Sequence, residues 1–130
     1  MLGRASYSMD YIRAVHARIE RVLKAFDKAK PAEPFASEAL LDVVLGLEMA
    51  FVHRLRGPEG KDGNPLNEVR MVAASVLEFG GVMTQDKTIK WTPEASVTGV
   101  RMGDKIVLSR KQVGALVDAF IEEIAKKYGG

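Results

Sequence analysis

The sequence predicts a mainly α protein: four principal helices in a bundle, with a small β-hairpin before the last, as a single domain over residues 1–130. Three observations predict this. Apolar residues recur at steps of three and four through four long segments. Proline and glycine, which end helices, separate those segments. The helical period lapses only between Val82 and Leu108, where short β-prone pieces take over.

In the first segment Ile12, Val15, Ile19, Val22, Leu23 and Phe26 form one stripe on a helix from about Ser8 to Lys28. "KPAEPFAS" then breaks it with two prolines. The second helix, about Ser37 to Leu55, reads LLDVVLGLEMAFVHRL and is apolar on nearly every face, the pattern of a central buried helix. A third begins at Asn64-Pro65, where Asn caps well and Pro loses nothing by lacking an N–H in the first turn. Leu66, Val69, Val72, Ala73 and Val76 make its core stripe, and Gly80-Gly81 stop it. Next come "KTIKW", "GVRM" and "KIVL", punctuated by Pro93, Gly99 and Gly103-Asp104, which predict irregular chain with a small hairpin. Ser109 and Gln112 are spaced as a capping box. The final helix turns Val113, Leu116, Val117, Phe120, Ile121 and Ile124 inward and ends at Gly129.

Composition excludes several classes. The hydrophobic fraction of 47% and charged fraction of 28% are those of an ordinary globular protein. Asp42, Gly46 and Glu48 interrupt the longest apolar runs, so none reaches the roughly 18 residues a membrane span needs. "MLGRASYSMDY" has no apolar core of the secretory kind, and the absence of cysteine fits a reducing cytoplasm. A net charge of +2 implies no general affinity for nucleic acid. Residues 1–30 do hold seven basic side chains, Arg4, Arg13, Arg18, Arg21, Lys24, Lys28 and Lys30, against Asp10, Glu20 and Asp27. That is a solvated helix face, or a weak site for phosphate or an acidic partner.

The charged stretch "HRLRGPEGKDGNPLNEVR", residues 53–70, lies between two apolar helices and draws the functional question. "GPEGK" is no Walker loop, because Leu55 stands where glycine is needed and Asp62 where Ser or Thr is needed. "DGN" lacks the remainder of a calcium loop. His16 and His53 have no partner at metal-ligand spacing, no cysteine nucleophile exists, and no serine sits in a G-x-S-x-G turn. No catalytic group, metal or cofactor is therefore expected. A short connection makes helices two and three antiparallel neighbours, which gathers His53, Arg54 and Arg56 near Asn67, Glu68 and Arg70. In one reading Asp62 and Glu68 pair with the arginines and fasten the loop. In another Arg54, Arg56, Lys61 and Arg70, with His53 and Asn67 beside them, hold phosphate or carboxylate. A third makes His53 a general acid–base. Arg70 shares a face with Asn67 that points off the main core; in the first reading it is partly buried and bonded to the 56–64 loop by a carboxylate or by backbone carbonyls.

"GGVMTQDKTI" followed by "VRMGDKIVLSRKQVGALVDAFIEEI" resembles the C-terminal part of helical-bundle proteins of the HEPN superfamily, over roughly residues 64–125. "KDGNPLNEVR" is similar to a segment of uncharacterised bacterial proteins of this size. Catalytic members of the superfamily are ribonucleases with an R-x(4–6)-H motif before the glycine turn. Here that place reads AASVLE, and no histidine follows His53. The resemblance thus implies a non-catalytic binding or antitoxin-like role, as a homodimer or with a protein partner. The alternative is an enzyme or ligand-binding protein for a phosphorylated or nucleotide substrate at residues 53–70.

Overall fold

In the computed structural model, which describes residues 3–130, α1 (Met9–Ala29) starts where the Ser8 hydroxyl accepts the Tyr11 N–H at 3.1 Å. A cap oxygen there satisfies one of the N–H groups that a helix start leaves orphaned. Ile12, Ile19 and Leu23 are buried along its inner side, while Val22 of the same stripe stays in solvent. After α2 (Phe35–Ala50) comes a single helical turn, α3 (Arg56–Glu59). α4 (Pro65–Glu78) begins as the Asn-Pro pair dictates: Asn64 Oδ1 accepts the N–H groups of Leu66 and Asn67, at 2.9 and 3.2 Å. It stops before Gly80 and Gly81, whose φ values of 63° and 83° lie where glycine has no steric penalty. α5 (Arg110–Tyr128) opens on the complete Ser109–Gln112 capping box. No helix among the described residues is long and apolar enough to cross a membrane.

α2, α4 and α5 pack on one another, and α1 lies across α2 and α5. Val44, Leu47, Phe51, Leu66, Val69, Val72, Leu116, Val117 and Phe120 have no exposed surface and form the centre of one continuous core. Residues 4–7 run alongside, with Arg4 N–H donating to His53 O at 2.7 Å and Tyr7 N–H to Tyr128 O at 2.8 Å. They link the chain just after α2 to the end of α5.

Two expectations need correction. The hairpin is not formed, and among the described residues there is no strand. The backbone of residues 103–106 bonds to residues 81–83 instead of to "GVRM": Gly103 and Ile106 donate to Met83 and Gly81, Met83 donates to Asp104, and Val82 and Lys105 form one antiparallel bridge. The second helix ends at Ala50 and not at Leu55. Phe51, Val52 and Arg54 each donate three residues back, to Glu48, Met49 and Phe51, which tightens the chain. Leu55 is then extended and pairs with Arg4. This diversion swings Arg54 inward.

Candidate functional site

The charged stretch folds around one carboxylate. Glu59, at the end of α3, is 0% exposed and accepts four hydrogen bonds. Arg54 Nε reaches Oε1 at 2.9 Å and Arg70 Nη2 reaches the same oxygen at 2.5 Å. Arg70 Nε and Asn67 Nδ2 reach Oε2 at 3.1 and 2.8 Å. A buried charge is tolerated when it is both paired and hydrogen-bonded, and Glu59 is both. Burial pushes its carboxyl upward. The hydrogen bonds and charges of Arg70 and Arg54, with Asn67, outweigh that and hold it below the usual carboxylate range.

Arg54 is equally enclosed. Nη1 donates to the Phe51 carbonyl at the end of α2 (3.0 Å) and Nη2 to the Leu66 carbonyl in the first turn of α4 (3.2 Å). Its guanidinium stands 5.4 Å from the centre of the Phe120 ring. It thus supplies the cation that favours a helix C-terminus, a role no residue in the last turn of α2 fills. Asn67 completes the knot by donating to Gly60 O (3.1 Å) and accepting from Gly63 N (3.0 Å). Gly63 has a φ of 87°, and a Cβ there would collide with the Lys90 carbonyl.

Glu48 of α2 is the second counterion and sits less well. Its Oε1 lies 3.0 Å from Arg54 Nη2, yet off the N–H direction, so that buried oxygen has no directed hydrogen bond. Its Oε2 is 3.9 Å from Arg70 Nη1. Burial raises its pKa, and the attraction of Arg54 and Arg70 does not fully offset that.

The sequence-predicted residues therefore separate. Arg54, Asn67 and Arg70 come together, but around Glu59 and Glu48 and not around an open anion position. Asp62 and Glu68 do not pair with the arginines. Asp62 Oδ1 accepts from Asn64 Nδ2 (2.7 Å). Glu68 faces away, taking the N–H groups of Val97 and Thr98 (2.9 Å each) and the Thr98 hydroxyl (2.6 Å). The reason is helical phase: Asn67 and Arg70 are three apart and share a face, whereas Glu68 lies about a quarter turn from Asn67 and nearly half a turn from Arg70. Arg56, Lys61 and His53 are exposed and make no ion pair among the described residues. His53 borders a cleft of about 440 Å³ with Arg4, Tyr7, Ser8, Tyr11 and Met49. Its neighbours were invisible to sequence spacing, and so was Asp118 beside His16; Glu20, however, stands four residues after His16 on the same helix, a spacing the sequence does show. His16 Nε2 sits between Glu20 (3.2 Å) and Asp118 (3.3 Å), linking α1 to α5.

A second feature lies on the far side of α2. Met49 is 76% and Leu77 72% exposed, and with Leu45, Val52 and Ala73 they line a hollow of about 350 Å³ between α2 and α4. No protein-family profile, curated protein or solved structure matches the chain.

Proposed function

We propose that the chain is a non-catalytic cytoplasmic binding protein that associates with itself, a HEPN-like bundle without the ribonuclease. The observation that carries this is the apolar face between α2 and α4, where Met49, Val52 just past the end of α2, and Leu77 of α4 line one hollow and stay in solvent. Contiguous apolar patches of this kind mark interaction sites on otherwise ordinary surfaces. The resemblance of residues 64–125 to HEPN bundles supports the same reading, and "AASVLE" leaves no ribonuclease motif to use. Sedimentation velocity of the whole chain at micromolar concentration tests it. A dimer is expected, and a species that remains monomeric overturns it.

The alternative, a phosphorylated or nucleotide substrate held at residues 53–70, draws on fewer cations than the sequence suggests. Arg54 and Arg70 are committed to Glu59, and freeing either would strand that buried carboxylate. Only His53, Arg56 and Lys61 remain on the surface, supported by no buried polar group.

A further inference from the structure

α2 carries a glycine, Gly46, in the middle of an exposed ridge. Glycine there weakens a helix relative to alanine, because the unfolded chain loses more freedom on folding. Nothing packed against the helix requires it: a Cβ built at Gly46 meets no atom within 4 Å beyond its own stretch of helix backbone. The absent side chain leaves room outside the fold, where another backbone can approach closely.

Two hollows flank that gap, and Gly46 lines both. The one towards α4 is the apolar surface already described. The other, also about 350 Å³, lies between α1 and α2 and is lined by Val15, Ile19, Val22, Ala39 and Val43. The same hollow contains one basic and one acidic side chain, Arg18 from α1 and Asp42 from α2. Both are exposed, and neither makes an ion pair among the described residues. Met49 projects beside the gap as a flexible apolar knob.

We propose that a second copy of this chain covers this face, with α2 crossing α2 at Gly46 about a two-fold axis. Arg18 of each copy then faces Asp42 of the other, and each Met49 enters the other copy's hollow. In a two-fold contact the same patch serves both subunits, so it must complement itself. One cation and one anion on the rims of one apolar surface meet that condition, because each finds its opposite across the axis. This inference rests on the self-association reading and specifies its surface.

The test uses the full chain and sedimentation velocity with three variants. Gly46→Leu adds bulk in open space, so it should keep the helical circular dichroism of the wild type while abolishing the dimer. Arg18→Asp and Asp42→Arg each place like charges together and should weaken dimerisation by about tenfold or more. The double variant R18D/D42R should recover most of that loss, a rescue that a general surface-charge effect would not give. A wild-type dimer left intact in Gly46→Leu, or single reversals that the double does not rescue, overturns the α2 crossing while self-association stands. A wild type that is monomeric at micromolar concentration overturns both.

Discussion

The clasp at residues 54–70 and the outward side of α2 meet at Glu48, and they treat water in opposite ways. In the clasp, two arginines, an asparagine and a glutamate are withdrawn from solvent, and every oxygen of Glu59 is satisfied. Beside it, Met49 of α2 and Leu77 of α4 keep most of their apolar surface wet. A charged stretch normally belongs outside and an apolar one inside. Here each is placed the other way for a reason. The clasp turns two helix ends and an irregular loop into a single rigid corner. The apolar side of α2 does nothing for the monomer and so is available to a partner.

If the clasp is structural, its centre should be the most sensitive point. Glu59→Gln leaves Arg54 and Arg70 buried with only the poorly placed Glu48 to answer them. Breaking a buried pair by removing one partner costs about 3–5 kcal/mol. Urea unfolding should show a loss of that size, and a change below about 1 kcal/mol would return the cluster to the ligand-binding reading. Arg70 is next. Its side chain is 19% exposed and supplies two of the four bonds to Glu59. Arg70→Ala should cost about 1–3 kcal/mol, because buried acceptors lose their donors. An unchanged melting temperature would contradict this.

Glu48 sharpens the comparison through pH. A carboxyl with a lowered folded pKa, as in Glu59, contributes stability above its ordinary pKa and loses it as pH falls through the folded value. Glu48 has a raised folded pKa, so its contribution is fully present below the ordinary carboxylate range. It is lost as pH rises through the raised value. Glu48→Gln removes that second dependence. The variant should differ from wild type by less than about 1 kcal/mol at neutral pH, since burial already penalises the Glu48 carboxylate and both arginines keep Glu59 as counterion. Relative to wild type it should become more stable as pH rises from acid to neutral. Unfolding free energies over that range check the sign, and a relative loss with rising pH would mean that Glu48 is well solvated by Arg54.

What was legible in the sequence was local. The Asn64-Pro65 start, the Ser109–Gln112 box and the stop at Gly80-Gly81 depend on residues within one helical turn, and all three form. The end of α2 and the missing hairpin depend on partners far along the chain. Arg54 leaves the helix for Glu59 and for the Leu66 carbonyl, and "KIVL" leaves its neighbour for the core and for residues 81–83. Which acid would meet the arginines was partly readable. Helical phase alone separates Glu68 from Asn67 and Arg70, whereas nothing local distinguishes Glu59 within "GPEGK" as the buried one. Glu48, an acid in a largely apolar helix, was a partial signal for an inward counterion, since Glu38 and Asp42 of the same helix stay in solvent. The exposed half of α2 was hidden for the opposite reason: a helix apolar on every side does not reveal which side lacks a neighbour.

The smallest expected effect separates the two regions most cleanly. Gly46→Ala adds one methyl group that meets no atom within 4 Å beyond its own stretch of helix backbone, so it introduces no clash in the monomer. Alanine in a helix interior is favoured over glycine by about 0.5–1 kcal/mol. Measured by urea unfolding at concentrations too low for association, the variant should therefore be more stable by about that amount. At higher concentration the same methyl stands where two helices are expected to touch, so dimerisation should weaken. Stability and association would then move in opposite directions from one substitution. A variant that gains stability and associates as well as wild type would leave Gly46 without a role in any contact.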